Sequence, residues 1–296
     1  MFLNFNGEVR EETIALLRAD NRGFRFGDGL FETMLLKQGK VRLGQYHFER
    51  LVAGMQLLRL EFPQAVSLEM MERQIGELCA RNGIGGLCRA RLTVFRRGGG
   101  MYNGLDRRAD YCIEVSALGV HGSAPGAQGS AVGAQEGALA GAEWVEDGLV
   151  LDVFPDGRKS CDIFSGVKSN NYLLSTQAGM FARERGVDDC VLVNSHGRVA
   201  ETTVANIWWV KNGVIYTPPL SEGCVAGVMR RWLLERLPGA GYSVREEPIG
   251  PDELIGAGEI FITNAIRGVR WVREFRGAQF GCRLAAAIGK DIVGKI

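Results

Sequence analysis

Residues 119–142 read GVHGSAPGAQGSAVGAQEGALAGA, and this stretch sets the first limit on how the chain can fold. It is Gly, Ala and Ser with almost no bulky apolar side chain. Such a segment buries too little surface to offset the entropy lost on ordering, so it is expected to be a flexible linker. It divides the chain of 296 residues into an N-terminal part, 1–118, and a C-terminal part, 143–296. Each is long enough for one domain. With 46% hydrophobic and 23% charged residues, each also has the means to build a core.

The flanking segments mix both periodicities. Residues 44–60 place Phe48, Leu51, Val52, Met55 and Leu58 on one helical stripe, and a second helix is expected over 67–82. The alternation in 87–96 and 110–117 predicts strands. Beyond the linker, 189–193 and 206–210 are short strand-like runs, and 259–263 is a third. Asn212-Gly213 between NIWWV and VIYT is a strong hairpin signal. A helix from about 172 to 185 ends at Gly186, and another starts near Gly227 and stops at Pro238. Helices and strands do not alternate as in a doubly wound sheet, so the expected class is α+β with two mixed domains.

Several function classes drop out. A formal net charge of +1 gives no electrostatic reason for a nucleic acid or membrane partner. No apolar run approaches the roughly 18–20 residues of a bilayer span. The start, MFLNFNGEVREE, lacks a basic segment followed by an apolar one, so no secretory signal is expected. Seven scattered cysteines read as free thiols in a reducing cytoplasm, and three dispersed histidines argue against a metal site.

The residues with chemical potential are individually ordinary. Lys168 in FSGVKSNNYLL follows a Gly and precedes polar residues, as surface lysines often do. Glu201 in ETTVAN stands at a strand edge, where most carboxylates are solvated. A carboxylate there is also what a pyridine nitrogen needs to stay protonated. GCVAGVMRR at 223–231 opens a helix after glycines, and a helix start presents amides and a dipole to an anion. ITNA at 262–265 ends a strand with further amides. Arg50 lies off the apolar stripe of its helix, where an arginine is either solvated or free to bind a phosphate. NRGFRFGDGLFET at 21–33 reads as a tight turn entering a strand, without the spacing of a dinucleotide loop.

Their order along the chain carries more. RGFRFGDGLFET, HFERL, VKSNNYL, ETTVANIWW, GVMR and TNA resemble, in sequence, the fold-type IV pyridoxal-phosphate enzymes, the class IV aminotransferase family. The resemblance implies the two-domain fold of D-amino acid aminotransferases, pyridoxal 5'-phosphate as cofactor, a small-molecule amine as substrate and a homodimer. It makes Lys168 the lysine that holds the cofactor covalently and Glu201 the partner of its ring nitrogen. Arg50 becomes the phosphate arginine, Val228 and Met229 the phosphate amides of the helix, and Asn264 and Ala265 a second phosphate strand. Tyr172 falls near the ring oxygen, one residue closer to Lys168 than in many branched-chain enzymes.

Within the family, FGDGLFET and RRGGGMY (96–102) resemble the aminodeoxychorismate lyase branch, as do NIWW and GVMRR. The lyases' RGSGGRGY has a second arginine that GGGMY lacks. Phe26, Arg97 and Asn264 are the expected substrate contacts. The implied reaction is release of pyruvate and 4-aminobenzoate from 4-amino-4-deoxychorismate. Two alternatives stand beside it: transamination of branched-chain or D-amino acids with 2-oxoglutarate, and a cofactor-binding protein without turnover.

Overall fold

The structure, a computed structural model, describes residues 1–62, 66–103, 106–118 and 144–296. The segment 119–142, expected to be a linker, lies outside the described residues. The chain forms two compact units. The first holds Met1–Leu118 together with Val167–Asn171; the second holds the described residues 144–166 and Tyr172–Ile296.

The first unit runs β1 (Phe2–Phe5), β2 (Glu8–Glu11), α1 (Arg22–Phe26), β3 (Gly29–Lys37), β4 (Lys40–Val41), α2 (Gly44–Leu57), α3 (Leu68–Arg81), β5 (Cys88–Arg96) and β6 (Ala109–Ala117). The strands form a sheet in the order β2-β1-β6-β5-β3-β4, antiparallel throughout. The alternation read from the sequence sorts its two faces. Cys88, Ala90, Leu92 and Val94 of β5 and Tyr111, Ile113 and Val115 of β6 are buried in one core with Leu51 and Met55 of α2 and Ile75 and Leu78 of α3. Phe48 and Leu58 pack against that core, as the helical stripe implies. The opposite face holds a hollow of about 380 Å³ lined in part by Arg91, Thr93, Cys112, Glu114 and Asn170.

The glycine-rich entry to β3 is more than a turn. Asn21 caps α1 by accepting a hydrogen bond from the Phe24 amide, and Gly27 ends it at φ 63°. The left-handed φ favours glycine here, and a Cβ would also meet Asn171 Oδ1 at 2.2 Å. Val167–Asn171 joins this unit through its backbone. The Phe31 amide donates to the Lys168 carbonyl (2.9 Å) and the Asn170 amide to the Gly29 carbonyl (3.0 Å).

The second unit contains β7 (Leu149–Val153), α4 (Leu173–Arg185), β8 (Asp189–Val193), β9 (Val199–Thr202), β10 (Asn206–Lys211), β11 (Val214–Thr217), α5 (Val228–Arg236), β12 (Val244–Glu246), α6 (Pro251–Leu254), β13 (Glu259–Asn264), β14 (Gly268–Phe275), β15 (Ala278–Gln279) and α7 (Arg283–Ala287). Its sheet has the order β12-β11-β10-β13-β14-β7-β8-β9, with β15 on β14. Three of its pairings are parallel: β11 with β12, β14 with β7, and β7 with β8. The hairpin forms where Asn212-Gly213 places it, both residues having positive φ (51° and 76°) as a type I′ turn demands. Gly186 ends α4 in the left-handed conformation, and α5 stops two residues before Pro238. The β8 strand is buried at every residue, and so is β9. Trp208 stacks on Phe261 at 5.8 Å between centroids and donates to Thr263 Oγ1, which fixes β10 against β13.

Among the described residues no helix is long and apolar enough to cross a membrane.

Candidate active site

In the first unit the site residues gather around two side chains of β3. Glu32, 1% exposed, points into the core between two residues of α2. His47 Nδ1 lies 2.6 Å from Glu32 Oε2, and Arg50 donates from Nε to Oε1 (2.8 Å) and from Nη2 to Oε2 (2.5 Å). Burial alone would raise the Glu32 carboxyl, but the positive charge of Arg50 and the contact with His47 bring it down to about 2. Burial lowers the His47 imidazole below its ordinary value, so its neutral form donates to Glu32. The sequence leaves Arg50 a choice between solvent and phosphate. The structure shows a third state, with the guanidinium gripped by a buried carboxylate and 14% of its side chain exposed.

Phe31, the preceding residue, faces the other side of the strand. The Lys168 ammonium lies 4.3 Å from the centroid of its ring and the Arg91 guanidinium 3.8 Å. Arg91 therefore shares a ring with the lysine singled out from the sequence. The two arginines of RRGGGMY have other partners. Arg96 donates to Asp28 Oδ2 (2.9 Å), the Asp106 carbonyl and the Leu58 carbonyl. Arg97 places two donors on Asp110 Oδ1, at 2.8 and 2.6 Å. Asp28 belongs to FGDGLFET and also accepts from Arg22, so the two lyase-like segments are tied together structurally. Phe26 packs on Tyr102 at 5.0 Å and beneath Arg22 at 5.4 Å.

In the second unit, Glu201 on β9 is 6% exposed. Its Oε1 pairs with Lys159 and its Oε2 accepts from the Val225 amide (2.8 Å). Val225 lies in the glycine loop before α5. The loop is held from β10 as well, where Asn206 Nδ2 donates to the Val225 carbonyl (2.9 Å). Gly227 is the N-cap of α5, and a Cβ there would lie 1.9 Å from Asn206 Oδ1. No side chain caps α5, so the amides of its first turn, beginning at Val228 and Met229, lack both an intrahelical and a side-chain partner. Asn264 ends β13 and uses Oδ1 to accept from the amides of Ile266 (3.0 Å) and Arg267 (2.8 Å), which shapes the turn holding Ala265. Tyr172 is the N-cap of α4, its carbonyl accepting from the Thr176 amide and hydroxyl.

Three participants escaped the sequence reading. Glu32 sits within the apolar run of β3, and only its alternation with Leu30 and Met34 marks it as core-facing. His47 is three residues before Arg50 on the same helical face, a spacing that invites a shared partner. Lys159 is 42 residues from Glu201, beyond any local pattern.

Each unit offers its own chemistry: the first presents the Lys168 amine beside Phe31, and the second a buried carboxylate at Glu201 and, at the α5 start, an uncapped set of amides with a glycine at the close approach, a combination suited to a basic ring nitrogen and a phosphate.

The comparisons with known proteins agree. The family model for amino-transferase class IV matches residues 29–275. An aminodeoxychorismate lyase of Vibrio harveyi is 30% identical over 84% of this chain and 83% of its own length. A D-alanine aminotransferase of Bacillus licheniformis is 25% identical over 97% of this chain and 93% of its own. Among solved structures, the branched-chain aminotransferase of Thermoproteus uzoniensis superposes with a TM-score of 0.82 at 22% identity, covering 98% of this chain and 93% of that one. This chain belongs to the class IV aminotransferase family and is a pyridoxal-phosphate-dependent enzyme.

Proposed function

We propose that this enzyme is a 4-amino-4-deoxychorismate lyase. The observation that carries the reading is the pair FGDGLFET and RRGGGMY, lyase-like in sequence and joined in the fold through Asp28 and Arg96. The aminotransferase alternative draws on the arginine missing from GGGMY and on the relatives that transaminate.

In this reading Lys168 carries the cofactor, Glu201 meets its ring nitrogen and Tyr172 its ring oxygen. Arg50 and the amides of Val228, Met229 and Ala265, with Asn264, hold its phosphate. Bound there, the cofactor supplies an electron sink for the bond broken at the amine-bearing carbon. The Lys168 amine would act as the general base that takes the proton from that ring carbon. Enolpyruvate leaves, takes up a proton to become pyruvate, and the ring is left aromatic as 4-aminobenzoate. The substrate contacts named from the sequence, Phe26, Arg97 and Asn264, keep their roles, and Arg91, beside the same ring as Lys168, is added as a second cation for a substrate carboxylate. The resemblance also carries a homodimer, which light scattering of the purified enzyme checks.

Two coupled assays test the reaction. Pyruvate release from the aminochorismate substrate is expected to exceed keto-acid formation from branched-chain L-amino acids or D-alanine. Transamination without pyruvate release overturns the lyase and leaves the family intact. Borohydride reduction followed by peptide mapping is expected to place the cofactor on Lys168, and Lys168→Ala to abolish turnover.

A further inference from the structure

We infer that Lys159 is a positioning residue for the cofactor, acting through Glu201; the inference rests on Glu201 being the partner of the ring nitrogen. The fold brings the two together around one strand. Lys159 forms a bridge with Asn194, just past the end of β8, and its own backbone is held on both sides. Its amide donates to the Val193 carbonyl (2.9 Å) and its carbonyl accepts from the Ser195 amide (3.1 Å). Glu201 pairs with Leu192 of β8 from the opposite neighbour, β9. The ammonium therefore reaches Glu201 from an anchored backbone, with 15% of the Lys159 side chain exposed and 8% of that of Glu201.

A carboxylate oxygen has two lone-pair directions. Lys159 occupies one on Oε1, and the Val225 amide occupies one on Oε2. With both oxygens bonded, rotation of the carboxylate is restrained, and a lone pair on each oxygen remains for the ring nitrogen. The second contact comes from the loop that starts α5, so the group facing the ring nitrogen and the amides facing the phosphate belong to one framework. Lys159 also supplies the countercharge that a carboxylate this buried requires. Nothing in this arrangement calls for Lys159 to touch substrate.

The test uses the purified full-length enzyme with Lys159→Met, Lys159→Gln and Lys159→Arg, and Glu201→Gln as reference. Cofactor affinity is read by fluorescence titration of the apoenzyme, the environment of bound cofactor by the position of its visible band, and folding by apoenzyme melting. Lys159→Met is expected to weaken affinity about tenfold or more, the loss typical of one charge-assisted hydrogen bond. It should also shift the visible band in the same sense as Glu201→Gln and lower kcat with KM little changed. Lys159→Arg is expected to restore band and affinity, and Lys159→Gln to fall between; Gln replaces Met in the reading if Met does not fold. If Glu201→Gln moves band and affinity while the Lys159 variants change only melting, the inference is overturned. If Glu201→Gln moves neither, it is the assignment of Glu201 that falls.

Discussion

Glu32 in the first unit and Asp189 in the second are both strand carboxylates with almost no exposure, 1% and 3%. Glu32 faces a guanidinium and an imidazole, and its carboxyl is held down at about 2. Asp189 is met by the Thr203 hydroxyl (2.6 Å), the Thr203 amide and the Cys190 amide, and burial pushes its carboxyl above the ordinary value. Neutral hydrogen bonds alone do not offset desolvation at Asp189, whereas the Arg50 charge together with His47 does so at Glu32. The same contrast separates the proposed cofactor contacts of the two units: those of the first, Arg50 and Lys168, are charged side chains, whereas those of the second are mainly backbone, at the uncapped start of α5 and the turns at Gly227 and Ala265.

The largest effect is expected from Glu32→Gln. Arg50 would keep its burial and lose its countercharge, which costs about 3–5 kcal/mol for a broken buried pair. Urea denaturation reads it directly, and a loss below about 1 kcal/mol would remove the distinction between the two carboxylates.

Acid should produce a slightly smaller loss. Glu32 has a folded value below its ordinary 4.5, so its stabilisation is complete above 4.5 and is lost as pH falls toward 2, about 3 kcal/mol in all. His47 is also lowered, so the unfolded chain takes up a proton first, and stability declines as pH drops below 6.5. Asp189 works in the other direction. Its contribution is present below 3.8 and is lost as pH rises past that value. Denaturation from pH 7 down to about pH 2 should show a net decline, and Glu32→Gln should flatten the part below 4.5.

Gly227→Ala tests the backbone-built part. The new methyl collides with Asn206, and cofactor affinity is expected to fall about tenfold with little change in the bound cofactor's spectrum. Unchanged affinity would mean that the loop adjusts freely. The smallest effect belongs to Asp189→Asn, within about 1 kcal/mol, because an amide oxygen can keep the Thr203 bonds and carries no charge to desolvate. It should be relatively more favourable at pH 7 than at pH 4. A penalty as large as that of Glu32→Gln would break the comparison.

Locally encoded features were legible in the sequence. Asn212-Gly213, the Gly186 stop and the apolar stripe of α2 each depend on neighbours within a few residues, and each appears where expected. Leu149–Val153 drew no strand expectation, since both of its pairings are parallel and join segments far apart in the chain. In the candidate site, the glycine turn and helix start were readable because backbone requirements leave residue signatures. The partners of the charged groups were not. Arg50 looked solvated or phosphate-bound because nothing in HFERL names Glu32, and Glu201 looked exposed because Lys159 approaches it from a separate strand connection.

The margin of the first sheet has a consequence for how this chain behaves in a crowd of its own kind. An open strand offers unpaired amides and carbonyls to any extended segment that drifts past. Here β2 is four residues long, exposed throughout, and carries Glu8, Arg10 and Glu11, while the other margin, β4, is two residues long and begins with Lys40. An incoming strand would have to desolvate those charges for a very short run of pairing. The sheet thus resists edge-to-edge aggregation by sequence at its borders, and replacing Glu8 and Arg10 with valine should raise the light scattering of concentrated samples while leaving the melting temperature nearly unchanged.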